Sequence, residues 1–154
     1  MSTKRIIVIG GSAAGPKAAS KARRMDENAE ITIYQKAADL SMASCGYPYY
    51  IGGFFDDRNQ LLCSPAGVVR DSKFFWNAKK INTNVNTEIT SIDRKNKIIN
   101  FSNLLTGEKG SAEYDKLIIA TGATPRKPTI PGIDLEGIST LQSLPDADYL
   151  RKVR

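Results

Sequence analysis

"VIGGSAAG", residues 8–15, decides how this chain is read. With "KRII" before it, residues 4–10 form a short β-branched run ending in glycine, the pattern of a buried strand. The alanine-rich "GSAAGPKAASKARRM" (11–25) that follows is a helix by propensity. "AEITIYQ" (29–35) reads as a second strand. Strand, helix and strand within residues 4–35 require a parallel pair with a right-handed crossover, so the fold class is α/β and Rossmann-like. In the turn, Gly10, Ser12 and Gly15 take the three glycine places of G-x-G-x-x-G, with serine in the middle one. Gly10 permits the tight turn. The small residues Gly11, Ser12, Ala13 and Ala14 let the backbone approach a pyrophosphate at a helix N-terminus, where free N–H groups and a partial positive charge favour anions. A plain βα connection without ligand has the same spacing; the strand–loop–helix–strand context is what favours a nucleotide. Pro16 suits the first helical turn if the helix starts near residue 13. At the end of the second strand a carboxylate usually takes both ribose hydroxyls. Gln35 stands there instead, with one carbonyl acceptor, and Lys36 follows it.

Downstream, "AGVVRDSKFFWNAKK" (66–80) reads as a helix packed through Phe74, Phe75 and Trp76. "INTNVNTEITSIDR" (81–94) reads as one or two strands and "KIINFSN" as another, with turns at "DRKNK" and "TGEKG". This is an antiparallel β-meander. "AEYDKLIIATG" (112–122) is expected to be one strand returning to the parallel sheet. "TPRKPTIPGID" (124–134), with Pro125, Pro128 and Pro131, suits an extended linker, and a helix should open near Pro145 or Asp146. The expected division is therefore residues 1–123 as a nucleotide-binding segment and 124–154 as linker and helix start.

There is no histidine among the 154 residues, which excludes serine–histidine and zinc–histidine chemistry within the chain; no metal site is expected. Lys and Arg number 22 against 16 Asp and Glu, a net charge of +6. Without a nucleic-acid motif, a small polyphosphate is the better partner for that charge than nucleic acid. On the first helix Lys17, Lys21 and Arg24 are spaced by four and three, beside a face of Ala18, Ala22 and Met25 expected to pack on the sheet. The basic stripe is either a rim for an anionic ligand or an ordinary solvated face. No apolar run reaches a membrane span, and "MSTKRIIVIGG" lacks the features of a secretory signal, so a cytoplasmic location is expected, with reduced cysteines.

"LSMASCGYPYYIGG" (40–53) carries one of the two cysteines. Ser44 is a good N-cap and Gly52 or Gly53 a good terminator, so Cys45 is expected in the first turn of a two-turn helix. A helix N-terminus there would favour the nucleophilic thiolate. Position alone also fits a small buried cysteine. Cys63 sits in a loop before Ser64 and Pro65 and reads as structural. With no cysteine nearby, the stable oxidised form of Cys45 would be a mixed disulfide with a small thiol, or a sulfenic acid.

"VIGGSAAG", "SMASCGYPYYIGG" and "YDKLIIATGATPRKPTIPGID" together resemble the FAD-dependent pyridine nucleotide–disulfide oxidoreductases, in the branch of coenzyme A–disulfide reductases, persulfide reductases and NADH oxidases. The middle segment is similar to the branch signature S-F-x-x-C-x-x-P-Y-x-x-G, with Met42 in place of phenylalanine. The resemblance implies FAD on the glycine loop, contacted by Gly10, Gly11, Ser12, Ala13, Ala14, Gly15, Gln35, Lys36, Ser44, Ile89, Ala120, Thr121 and Gly122. It implies Cys45 as the single redox-active cysteine. It implies coenzyme A, or another small thiol or disulfide, on Lys17, Lys21, Arg24, Ser41, Ser44 and Lys73. Glutamate is typical at Gln35 and asparagine at Ser44. NAD(P)H as electron donor, an NADH-binding domain, a returning FAD-domain segment, a dimerisation domain and a homodimer are implied for a full-length member. The alternatives are an NADH oxidase or peroxidase cycling through sulfenic acid, and a non-catalytic nucleotide-binding module.

Overall fold

In the computed structural model, residues 3–154 are described and fall into two compact units. The first comprises the chain up to Met42 together with Leu62–Thr121; the second comprises Ala43–Leu61 and Gly122–Arg154.

The first unit is built on a parallel sheet of β1 (Arg5–Ile9), β2 (Glu30–Tyr34), β3 (Asn82–Asn84) and β7 (Lys116–Ile119). The order is β3-β2-β1-β7, every pair parallel. Both faces are apolar, as a sheet covered on both sides requires. On one face Val8, Ile31 and Ile33 pack with Ala19, Phe75 and Ile81. Ala19 belongs to α1 (Ala14–Met25) and Phe75 to α3 (Ser72–Lys79). On the other face Ile7, Ile9 and Tyr34 pack with Ile99 and Tyr114. This side is covered by the antiparallel meander β4 (Thr87–Asp93), β5 (Ile98–Asn103) and β6 (Lys109–Glu113). The expected parallel sheet with helices plus meander is what the chain forms.

Four local expectations need correction. The buried residues of α1 are Gly15, Pro16, Ala19 and Ser20, with Ala22 half-buried, because Gly15 must meet the loop, and this turns Met25 outward to 72% exposure. Helix α3 starts at Ser72, where Asp71 caps it by accepting the Phe74 N–H at 2.8 Å, not at residue 66. Within it Phe75 is buried, but Trp76 is 49% exposed under the Lys80 amine. Residues 112–122 are not one strand. The chain leaves the meander at Tyr114, whose N–H donates to Lys97 O, and Asp115 then accepts the Arg5 backbone N–H at 2.7 Å before β7 begins.

In the second unit, a 3-10 turn at Ser44–Gly46 leads into α2 (Tyr47–Gly52), which packs against α4 (Leu144–Val153). Tyr47, Tyr50, Leu144 and Ala147 are buried. Ser143 caps α4 in a reciprocal box with Asp146, ahead of Pro145 in the first turn. Residues 121–130 have no regular structure and are exposed. No helix among the described residues is long and apolar enough to cross a membrane.

Candidate functional site: a glycine cradle and an exposed thiol

The glycine loop leaves β1 at the carboxyl edge of the parallel sheet. There β1 has β2 on one side and β7 on the other, the switch point at which open α/β sheets bind ligands. Gly10 has φ 106°, and a Cβ there would collide with the Ala120 carbonyl. A Cβ on Gly15 would collide with Gly10 O, so the third glycine lets α1 approach the strand end. A Cβ on Gly11 would lie 2.6 Å from Leu40 Cδ2 and 2.9 Å from Gln35 Cβ. All three positions therefore exclude side chains. Ser12 is half-buried, while Ala13 and Ala14 are exposed at the start of α1. No side chain caps that N-terminus, and Pro16 lies inside the first turn as the sequence anticipates. The bare N-terminus and the side-chain-free backbone fit a dinucleotide pyrophosphate.

Beside the loop lies a cleft of about 210 Å³ whose lining includes Gly10, Gln35, Lys36, Glu88, Ile89 and Thr121. Gln35 does not present its amide freely. Its Oε1 accepts the buried Gly11 N–H at 2.9 Å and its Nε2 donates to Asp39 O at 3.2 Å. The Ser41 N–H closes the arrangement on Gly11 O at 2.7 Å, with Ser41 itself at φ 54°. Lys36 pairs with Glu88 at 2.7 Å. Glu88 is a cleft residue that strand alternation did not single out. Thr121 ends the first unit, and Gly122, φ 71°, opens the exposed stretch of the second.

Cys45 is exposed and free. Its setting differs from the expected capped helix. Pro48 is accommodated at the start of α2, which fixes that start at Tyr47, so Cys45 lies in the preceding 3-10 turn. The exposed Ser44 makes no side-chain capping bond. Gly46 leaves room for Leu61, whose Cδ2 would lie 2.5 Å from a Cβ. The segment is held from α4. Arg151 Nη1 donates to Tyr50 O at 2.6 Å and to Phe55 O at 2.7 Å, its Nη2 pairs with Asp56, and the guanidinium lies 4.5 Å from the Tyr50 ring centre. The Tyr50 hydroxyl donates to Asp148 at 2.9 Å, and Arg58 pairs with the same carboxylate at 2.7 Å. Burial, followed by the adjoining Asp148 carboxylate, pushes the Tyr50 phenol above its ordinary range. Cys63, half-buried and free, sits in a β-bridge with Val69.

Lys17, Lys21, Arg24 and Lys73 are all exposed, the first three on α1 and the last on α3. Sequence reasoning missed Lys79, whose amine donates to the buried Ser20 hydroxyl at 2.7 Å. Only the i+3 placement of Ser20 after Lys17 hints at it.

A parallel sheet with a bare glycine cradle at its switch point defines a Rossmann-like dinucleotide-binding domain. The chain belongs to the pyridine nucleotide-disulphide oxidoreductase family, whose sequence model matches residues 4–154. It is 36% identical over 147 residues to the coenzyme A disulfide reductase of Staphylococcus haemolyticus, covering 96% of this chain and 31% of that protein. Among solved structures, the NAD-dependent persulfide reductase from A. fulgidus superposes with TM-score 0.89 at 40% identity, covering 97% of this chain and 27% of that one. The reduced Bacillus anthracis protein CoADR-RHD superposes equally well, TM-score 0.89 at 33% identity, over 99% of this chain and 26% of that one. The chain thus spans about a third of the length of the curated relatives it matches.

Proposed function

We propose that this chain is the N-terminal, FAD-binding part of a flavoprotein that uses NAD(P)H to reduce coenzyme A disulfide, or a related persulfide or polysulfide, through Cys45. The observation that carries this reading is the exposed free thiol of Cys45 in the one segment that matches the branch signature. The glycine cradle supports the cofactor: Gly10, Gly11 and Gly15 clear the backbone for the pyrophosphate, and the N-terminus of α1 supplies N–H donors. Bound FAD would relay two electrons from NAD(P)H to sulfur. The Cys45 thiolate attacks one sulfur of the disulfide, forming a mixed disulfide and expelling the other half as a thiolate, which takes up a proton to become the first thiol. Two electrons and a proton then free the second thiol and restore the thiolate. The sum is one disulfide, one NAD(P)H and one proton giving two thiols and NAD(P)+. Lys17, Lys21, Arg24 and Lys73 offer the positive charge that a phosphorylated thiol needs. The working enzyme is a cytoplasmic homodimer, with the nicotinamide site outside this chain.

The test is NAD(P)H-dependent reduction of coenzyme A disulfide by the full-length protein. Cys45→Ser should abolish it with FAD still bound, and Cys63→Ser should leave it intact. Oxygen consumption yielding water or peroxide, without disulfide reduction, would move the reading to an oxidase.

A further inference from the structure

Cys45 lies between two flanking pieces of chain, and both are fastened to α4. On one side its 3-10 turn runs straight into α2: the Gly46 N–H donates to Ala43 O at 2.9 Å and the Tyr47 N–H to Ser44 O. On the other side stands a second 3-10 turn, Arg58–Leu62. There Leu61 O accepts the Ala43 N–H at 2.8 Å, and the Leu61 side chain fills the space that Gly46 leaves by having no Cβ. The backbone around the thiol is therefore set by where α2 and Leu61 stand.

α2 does not support itself. It has six residues, too few to hold a helix in water alone. α4 is ten residues long and closed by its own capping box, so it can act as a strut. One carboxylate on it reaches both flanks of the thiol. Asp148 Oδ1 accepts the Tyr50 hydroxyl of α2 at 2.9 Å, and its Oδ2 accepts Arg58 Nη1 of the second turn at 2.7 Å. Three residues on, Arg151 faces the same side of α4. Its fork spans the Tyr50 and Phe55 carbonyls, and its plane lies against the Tyr50 ring, which has Phe55 at 5.8 Å as a further neighbour. Tyr50 is 7% exposed, so these bonds are made with little water to replace them.

We infer that Asp148 and Arg151 are positioning residues for Cys45: they fix the turn that carries the thiol by holding both of its flanks, without touching substrate. The effect on turnover rests on the function proposed above; the clasp does not. Loosening the turn displaces the sulfur, and small displacements of a reacting group cost rate rather than substrate binding.

The experiment joins steady-state reduction of coenzyme A disulfide to hydrogen exchange at Gly46 and Tyr47, both in the full-length protein. Arg151→Met and Asp148→Ala should each lower kcat about tenfold with KM held within about twofold. Exchange of the two amides should quicken about tenfold. Arg151→Lys, which keeps the charge and one carbonyl bond, should recover about threefold of the lost kcat. Tyr50→Phe removes only the hydroxyl bond to Asp148; it should lower kcat about threefold and carries the test if the larger changes prevent folding. Ile99→Val trims the core of the first unit away from the clasp and should leave kcat within about twofold. Parent-like exchange at Gly46 and Tyr47 in the clasp variants would overturn the inference. So would a rise in KM at constant kcat, or a loss of kcat in Ile99→Val equal to that in Arg151→Met. With Cys45→Ser inactive, kcat unchanged despite quickened exchange would overturn it too. Quickened exchange in a protein whose disulfide reduction survives Cys45→Ser would sustain the clasp while refuting the role of Cys45.

Discussion

The glycine loop and the cysteine segment are held by opposite means. Residues 10–15 are shaped by backbone. Gly10, Gly11 and Gly15 leave no room for a Cβ, and the loop is pinned by Gly11 N–H to Gln35 and Gly11 O to the Ser41 N–H. Residues 44–55 are shaped by side chains distant in sequence. Arg151 reaches the carbonyls of Tyr50 and Phe55, and Arg154 that of Ile51, across about a hundred residues. The difference suits the two tasks proposed for these regions. A pyrophosphate needs bare, fixed N–H groups, whereas a thiol that exchanges with a substrate needs an exposed turn on a support.

The strongest way to break this contrast is at Gly15. Gly15→Val should cost several kcal/mol or prevent folding, because the new side chain meets Gly10 O. Urea unfolding of the full-length protein reads the effect, and parent-like stability would contradict the backbone account. Arg151→Met should act on the other region alone. Losing charged hydrogen bonds to two carbonyls costs about 1.5–3 kcal/mol. Hydrogen exchange should quicken at residues 49–54 and stay unchanged in β1; uniform quickening would contradict a local clasp. Gln35→Ala strands the buried Gly11 N–H and should cost about 1–2 kcal/mol. Gln35→Glu should cost less, because it keeps the acceptor for Gly11 while turning an oxygen toward Asp39 O.

The smallest effect is one of pH. The hydrogen bond from the Arg5 backbone N–H, then the Arg5 charge, hold the Asp115 carboxyl below its ordinary range. A depressed folded-state pKa gives stability that is present above the unfolded value of 3.8 and lost as pH falls through the folded value. Asp115→Asn should flatten that part of the acid unfolding profile. An unchanged profile would remove Asp115 as the anchor of β7.

The same contrast explains what could be read in advance. The βαβ unit was legible because the β-branched run of β1, the alanine-rich helix and the spacing of Gly10, Ser12 and Gly15 are local. The glycine spacing located the cradle for the same reason. The cysteine was legible as a residue but not in its setting, because the start of α2 depends on Pro48 and its support comes from α4. Strand alternation could not show that the run 112–122 breaks where Tyr114 is buried and Asp115 meets Arg5. Nor could helix periodicity show that Gly15 rotates α1 and turns Met25 outward. Gln35 was read as a ribose contact from its place at the strand end. Its partner, Gly11 N–H, emerges only once the loop folds back.

The central claim, that Cys45 carries the chemistry and Cys63 does not, is tested most directly by mass. The full-length protein would be oxidised with coenzyme A disulfide and its peptides mapped before and after reduction. The account predicts one reducible coenzyme A adduct, on Cys45, with Cys63 unmodified. An adduct on Cys63, or disulfide reduction that survives Cys45→Ser, would contradict it.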